Sequence, residues 1–326
     1  MNFKRKLQIL LLSFIFILPL NVLAYSKEVI LGGENIGIKV NCKYITVVGF
    51  YEVNGKYIAK DSGLEIGDKI LEIDNKPVEN IDDMVAKIQD NTINITILSN
   101  DKKKNIILNI PRSDDGKLST GMYVKDKITG IGTLTFIDPN TKIFGALGHE
   151  ITDSTIGQKV EIKDGEIFKS TITGITKGNN GTPGEKNASF DTTDVYGDIT
   201  KNDDSGIFGK YTTDINSKET IKIGTKDEIK LGEAKMLTVI ENNQIEEFVI
   251  NITNIEKNNK VKNILFEVKD KKLIDRTNGI VGGMSGSPII QNNKLVAAVT
   301  HVVVSNPTKG YGILIEKMLE ESDKSR

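Results

Sequence analysis

The sequence predicts a mainly β protein, with an N-terminal α+β module followed by an all-β domain of about 210 residues. Short β-branched segments between turn residues recur from about residue 35 onward, and helix signals are scarce. The composition is that of a folded chain, with 38% hydrophobic and 27% charged residues. A largely disordered protein is therefore excluded, and the length of 326 residues is typical of two domains.

Charge and rare residues narrow the possible functions. Lys and Arg number 43 and Asp and Glu 44, so bulk charge does not favour nucleic-acid binding. Cys42 is the only cysteine, which excludes an intramolecular disulfide and a multi-cysteine metal site. The only histidines are His149 and His301. We therefore expect no metal and no cofactor.

The first 24 residues have the pattern of an export signal. A basic start containing Lys4, Arg5 and Lys6 precedes an apolar run that is too short for a bilayer span, and Ala24 ends a small-residue cleavage pattern. We expect export across the cytoplasmic membrane, with residues 1–24 either cleaved or retained as an anchor.

Residues 30–112 predict the α+β module. Strand-like segments at 36–40 and 44–48 precede a Ser62-Gly63-Leu64 turn and a strand that carries Ile70 and Ile73. Asn80 is placed to cap a helix, and a polar hairpin and the linker 113–116 follow.

This segment resembles a bacterial PDZ domain. The resemblance implies a carboxylate-binding loop before the first groove strand, which places the loop at Gly33, Asn35, Ile36 and Gly37. The exposed edge of residues 36–40 would then bind a peptide by strand addition. The alternative is a module that only separates domains.

Residues 113–326 predict the all-β domain, whose chemistry depends on two segments. One is a strand that ends on His149, and the other is a glycine-rich loop that presents Ser285 just before a strand. A serine nucleophile needs small neighbours, a base, and backbone N–H groups directed at the developing oxyanion. We expect Ser285 as nucleophile, His149 as base, and the N–H groups of Gly283 and Ser285 as the oxyanion hole. The order of His and Gly-x-Ser-Gly predicts a chymotrypsin-like double β-barrel.

The domain resembles the SpoIVB peptidase family of endospore-forming bacteria. The matching stretches are residues 130–136, 145–149, 279–290, 298–302 and 306–312. The resemblance implies a self-cleaving serine endopeptidase in the forespore intermembrane space. Its signalling cleavage of a regulatory protein, a membrane-bound regulator, leads to activation of a late mother-cell sigma factor.

The third member of the triad has several candidates. The family pattern implies Asp270, fifteen residues before Ser285. The His-to-Asp spacing of generic chymotrypsin-type enzymes favours Asp191 or Asp194 instead, and Asp275 is a further candidate.

His301 lies sixteen residues after Ser285, on the predicted strand that follows the nucleophile loop. In chymotrypsin-type folds that strand lines the pocket for the residue before the scissile bond, so His301 is a candidate specificity residue. The alternative is a histidine bonded to a neighbouring backbone carbonyl.

Two other functions remain open. A quality-control protease of the high-temperature-requirement type would carry its PDZ after the protease, and a non-catalytic PDZ adaptor would only bind a membrane partner. Because the catalytic candidates lie beyond residue 116, we also expect a chain that starts near Lys117 to keep its fold and its reactive serine.

Overall fold

Two closed β-barrels and a small α+β module make up the described part of the chain. The computed structural model describes residues 27–112, 118–216 and 218–324. The expected export signal (residues 1–24) and the expected linker 113–116 lie outside these ranges. Within them, no helix is both long and apolar enough to cross a bilayer.

The first barrel is a ring of six antiparallel strands. Its pairs run from β2 through β7, β8, β11, β10 and β9 back to β2. A cluster that includes Phe144 and Ile167 fills its interior. The strands are β2 (Asn35–Phe50), β7 (Met122–Ile137), β8 (Ile143–Ala146), β9 (Ile162–Thr176), β10 (Gly184–Asp203) and β11 (Gly206–Tyr211).

The second barrel is a ring built from residues that follow one another more closely in sequence. Its pairs run from β13 through β14, β15, β19, β18 and β17 back to β13. Met236, Phe248 and Phe266 lie in its core. The strands are β13 (Gly232–Val239), β14 (Ile245–Ile255), β15 (Ile264–Val268), β17 (Pro288–Gln291), β18 (Lys294–Val302) and β19 (Lys309–Leu314).

Short elements join the two barrels. β1 pairs with β7 of the first barrel and with β12, which in turn pairs with β18 of the second. The C-terminal helix packs into a separate apolar cluster with Phe136 and Phe208. These elements are β1 (Glu28–Leu31), β12 (Thr220–Ile223), β16 (Val281–Gly282), α3 (Lys271–Thr277) and α4 (Ile315–Asp323).

The α+β module has its own core, which includes Ile45, Ile70, Met84 and Ile95. Asn80 caps its longer helix by accepting a hydrogen bond from the Asp83 N–H, as the sequence predicted. The module comprises the second half of β2, the start of β7, and α1 (Ile58–Asp61), α2 (Ile81–Lys87), β3 (Lys69–Ile73), β4 (Lys76–Pro77), β5 (Thr92–Ser99) and β6 (Lys102–Asn109).

The peptide-binding edge predicted at residues 36–40 does not exist in this structure, because that strand is paired on both sides. Ile36 pairs with Gly132 of β7 and with Lys169 of β9, and this double pairing continues to Val40. The predicted loop residues Asn35, Ile36 and Gly37 therefore belong to the first barrel, and Gly33 lies in the connection between β1 and β2. A Cβ at Gly37 would lie 2.2 Å from the Phe168 ring, so close packing explains this glycine.

The module is an insertion within the β2–β7 pair. Asn41 pairs with Lys127 in the barrel, whereas Thr46 pairs with Lys125 in the module. This pairing argues against the expectation that a chain starting near Lys117 keeps its fold, since that chain would lack the barrel half of β2. The mainly β class with two barrels is confirmed.

Candidate active site

A sharp turn after β8 directs His149 toward the second barrel. Leu147 has φ 68° and Gly148 has φ 69°, both in the left-handed region, which is unusual for a leucine. The Leu147 side chain packs against Gly132 of β7, where a Cβ would lie 2.2 Å from Leu147 Cδ2. Tight packing thus holds a strained backbone immediately before the predicted base.

The His149 ring has a defined tautomer. Its Nδ1 lies 2.8 Å from the Glu150 carbonyl oxygen, which can only accept a hydrogen bond. Nδ1 therefore carries the proton, and Nε2 is left as an acceptor. Burial lowers the pKa of His149 below its usual value, although the Glu150 carbonyl and carboxylate partly oppose this shift. The ring is consequently neutral at neutral pH, as a general base must be.

The loop that carries Ser285 is fastened to the first barrel. Thr133 donates its backbone N–H to the Ser285 carbonyl at 2.9 Å and its Oγ1–H to the Gly283 carbonyl at 2.8 Å. Thr135 donates its Oγ1–H to the Gly286 carbonyl at 2.8 Å. With φ values of 89° and 91°, Gly283 and Gly286 adopt a backbone conformation that favours glycine.

Hydrogen bonds within this loop leave two N–H groups available. Met284 donates its N–H to Val281, and Gly286 donates to Val299. In the described residues, no protein acceptor takes the N–H groups of Gly283 and Ser285. These are the two groups that the sequence assigned to the oxyanion hole.

Ser285 and His149 lie around Thr300 of β18. The Ser285 Oγ–H donates to the Thr300 carbonyl at 3.0 Å. A Cβ at Gly148 would lie 3.2 Å from the Thr300 side chain, and a Cβ at Gly286 would lie 2.5 Å from the Leu147 N. The structure therefore brings the two segments that the sequence singled out into one site.

His301 joins this site from the end of β18. Its ring centroid lies 5.0 Å from that of His149, and its side chain keeps an exposed edge. Desolvation by the surrounding protein, followed by the nearby His149 and Lys262, lowers the pKa of His301 to about 4. Both histidines of the chain are thus neighbours, and the specificity role of His301 stays a prediction.

Three of the four carboxylate candidates are engaged elsewhere. Asp270 caps α3 by accepting a hydrogen bond from the Leu273 N–H at 3.1 Å. Asp191 accepts from Thr193, and Asp194 forms an ion pair with Lys169. No carboxylate in the described part of the chain hydrogen-bonds the His149 ring. The triad role carried over to Asp270 stays a prediction, as do the alternatives Asp191, Asp194 and Asp275.

Lys186 lies beneath the nucleophile loop and was not singled out from the sequence. Its side chain is fully buried, with Cδ 3.0 Å from the position of a Cβ at Gly283. Its Nζ donates to Thr238 Oγ1 of the second barrel at 2.9 Å and to Asn35 Oδ1 of the first at 3.4 Å. Burial without a carboxylate partner lowers the pKa of Lys186 to about 7.

Sequence reasoning also missed Thr133 and Thr300. Thr133 lies inside a recognised motif, but nothing local distinguishes a threonine that binds a distant loop from one that packs in a strand. Thr300 acts through its carbonyl, which every residue has. Across the described ranges, no group of three or more His, Cys, Asp or Glu side chains is arranged to hold a metal ion.

Comparisons with known proteins place this geometry in a family. Residues 116–319 match the SpoIVB peptidase S55 family, and residues 32–98 match the PDZ domain. No curated protein matches the chain.

Solved structures with a similar fold include two of the HtrA-type protease AlgW. The structure with a decapeptide has a TM-score of 0.35 and 10% identity, and the match covers 60% of this chain and 51% of that one. The structure with a tripeptide has a TM-score of 0.34 and 11% identity, with 59% and 54% covered. Human heparin binding protein has a TM-score of 0.29 and 9% identity, with 56% and 74% covered. This chain thus spans about half the length of the AlgW chains.

The family match covers more than half of the 326 residues and includes His149, Ser285 and His301. The chain therefore belongs to the SpoIVB peptidase S55 family and carries a match to the PDZ domain in its N-terminal half.

Proposed function

We propose that Ser285 and His149 are the nucleophile and the general base of this peptidase. The observation that carries the proposal is their convergence on Thr300, beside two unused N–H groups. Once Ser285 Oγ turns from the Thr300 carbonyl toward His149, Nε2 can accept its proton as Oγ attacks a peptide carbonyl. The N–H groups of Gly283 and Ser285 then stabilise the tetrahedral oxyanion, and the proton on His149 passes to the leaving amine.

Covalent labelling with a fluorophosphonate tests the assignment. We expect labelling of the wild type and none of Ser285→Ala, with labelling of His149→Ala slowed by at least about 10³-fold. Ser287→Ala is the matched control, because Ser287 lies in the same loop and its buried Oγ hydrogen-bonds Thr133 Oγ1 at 3.4 Å. Undiminished labelling of Ser285→Ala would overturn the proposal, and an unlabelled wild type would favour the non-catalytic adaptor.

We infer the biological substrate from the family match. We propose an exported enzyme that cleaves itself and a membrane-bound regulator in the forespore intermembrane space, which leads to activation of a late sigma factor. The SpoIVB family match supports this role. Replacing the chromosomal copy with the Ser285→Ala form should stop both self-cleavage and maturation of the sigma factor, as read by immunoblot during sporulation. Normal maturation in that strain would contradict the signalling role and leave the peptidase assignment intact.

Peptide docking by the PDZ domain needs a new location, because residues 36–40 have no free edge. In the described residues, β7 pairs only with β2 over residues 122–126. The helix α2 stands beside this part of β7, since the Ile81 N–H donates to Asp126 Oδ2 at 2.8 Å. We propose that a peptide docks by strand addition on the free edge of residues 122–126, next to α2. Tyr123, 56% exposed, lies on this segment.

A further inference from the structure

One edge of β7 remains unpaired well beyond the PDZ domain. Between residues 122 and 132, β7 pairs with β2 on one side, and no strand of the described residues pairs with its other side. We call this unpaired side the β7 edge. An edge of this length presents a row of backbone donors and acceptors that an extended chain can satisfy.

The direction of individual peptide groups identifies which residues serve the β7 edge. The Leu134 N–H donates to Glu34 on the β2 side, whereas the Thr133 N–H donates to Ser285 on the opposite side. Backbone groups in a strand alternate between the two sides. Lys127, Thr129 and Ile131, which share the parity of Thr133, therefore direct their N–H and C=O groups to the β7 edge.

The β7 edge connects the two functional parts of the molecule. One end lies beside α2 in the PDZ domain, as the bond between Ile81 and Asp126 shows. The other end reaches the nucleophile loop, where Thr133 binds the Ser285 carbonyl and Ile131 Cγ2 lies 3.2 Å from the Cβ position of Gly283. A chain laid along this edge would thus pass from one site to the other without leaving β7.

We propose that the β7 edge binds a single extended segment of the substrate, which is cut at Ser285 and held by its far end in the PDZ domain. This inference rests on the peptidase function proposed above. All the pairings of β7 with β1, β2 and β8 are antiparallel. β7 runs from the PDZ domain toward Ser285, so an antiparallel partner runs from Ser285 toward the PDZ domain. The held segment therefore follows the scissile bond.

The length of the β7 edge sets the length of that segment. Eleven residues separate Met122 from Thr133, or about 36 Å at about 3.3 Å per residue. The substrate class is accordingly a protein with an extended carboxyl-terminal tail, from which the enzyme removes about ten residues. A substrate cut in the middle of a long chain would gain nothing from the PDZ end of the edge.

A peptide library tests the spacing. Random peptides of about 20 residues with free carboxyl termini are digested by the full chain, and mass spectrometry maps each cut. We expect cuts to cluster about 8 to 12 residues before the end, as set by the strand rise. Adding ten residues to every carboxyl terminus should move the cluster by ten residues. Cuts spread evenly, or fixed relative to the amino terminus, overturn the proposal.

Proline substitution tests the β7 edge itself. Thr129→Pro removes one N–H from the free side of an edge strand, where proline is tolerated, and Thr129→Ala keeps it. We expect Thr129→Pro to slow cleavage of the preferred peptide by at least about tenfold, with unchanged fluorophosphonate labelling of Ser285. Lys127→Pro should behave in the same way. If both proline variants cleave the preferred peptide at the wild-type rate, the proposal is overturned.

Modified peptides give the same test without altering the protein. N-methylation of alternate peptide bonds after the cut should slow cleavage by the wild type, while methylation of the intervening bonds should not. Equal effects at both sets of bonds overturn the proposal. If Ser285 is labelled but the cuts show no preferred distance from the carboxyl terminus, this inference is refuted and the proposed peptidase function stands. If the wild type is not labelled, both are refuted.

Discussion

The two barrels supply one proposed catalytic group each, but they are assembled from the sequence in different ways. The second barrel and Ser285 come from residues 232–314, in which most paired strands are close in sequence. The first barrel, which carries His149, is interrupted by the PDZ domain between residues 41 and 127. The nucleophile loop is moreover held by Thr133 of the first barrel, so the site depends on the barrel whose strands are further apart.

Removing the PDZ domain should have the largest effect, and it can be removed in two ways. A chain that starts at Lys117 lacks the barrel strand Asn35–Asn41 and should lose cooperative unfolding and serine labelling. Joining Val40 to Ile128 through an Asn-Gly turn removes the insertion but keeps the directly paired ends, so the barrels should fold. Circular dichroism melting and fluorophosphonate labelling check both. A folded, labelled Lys117 chain would contradict the insertion.

Removing the hydrogen bond by which Thr133 of the first barrel holds the nucleophile loop should have the next largest effect. Thr133→Val keeps the volume but removes the donor to the Gly283 carbonyl, so we expect kcat/KM to fall by about 10- to 100-fold. Thr135→Val is the matched control, because it removes an equally buried donor to Gly286, beyond the nucleophile. Both variants should lose about 1–3 kcal/mol of stability. Equal losses of activity in both would contradict a specific role for Thr133.

Lys186, which hydrogen-bonds residues of both barrels, should make the free energy of unfolding depend on pH. Lys186 has its pKa lowered to about 7 in the folded protein, against 10.5 for the free side chain. Between these values the unfolded chain binds one more proton, so stability rises with pH by about 1.4 kcal/mol per unit. Below pH 7 both states are protonated and this dependence disappears. Lys186→Met should lack the rise in unfolding free energy between pH 7 and 9.

Urea unfolding at several pH values measures this difference. Lys169→Met, at an exposed position on the adjacent strand, is the control and should keep the wild-type rise. If the unfolding free energy of Lys186→Met rises by the same amount as that of the wild type, the pH dependence comes from other groups.

The smallest expected effect concerns Asp270, which contacts no part of the first barrel through a described hydrogen bond. Asn caps helices about as well as Asp, so Asp270→Asn should change stability by less than about 1 kcal/mol, and Asp270→Ala should cost about 1 kcal/mol. If Asp270 acts only as this cap, the activity of both variants stays within a few-fold of that of the wild type. A loss on the order of 10⁴ in kcat for Asp270→Asn would instead establish the triad role implied by the family.

Local signals explain which parts were predictable. Ser285 and His149 lie in short segments whose glycines and strand endings are visible in the sequence, and the family they indicate is confirmed by the match to residues 116–319. The helix α3 was missed although it carries start and stop signals, with Asp270 at its N-cap and Asn278 in the left-handed conformation at its end.

Non-local pairing explains what was not predictable. The PDZ resemblance assigned residues 36–40 to a free groove strand. Only their pairing with β9, about 130 residues later in the chain, shows that both edges of this strand are used. Lys186 was overlooked because burial of a lysine depends on its three-dimensional neighbours and leaves no local pattern.

The insertion of the PDZ domain also has a consequence for the order of folding. Pairing Asn41 with Lys127 in an otherwise unfolded chain closes a loop of about 85 residues, at an entropic cost about 3 kcal/mol above that of a two-residue turn. A PDZ domain that folds first removes this extra cost, because its own β2–β7 pairing already holds the two chain ends together. The folded PDZ domain would then nucleate the β2–β7 pairing of the first barrel. Mutations in the core of the PDZ domain should therefore slow folding of the first barrel.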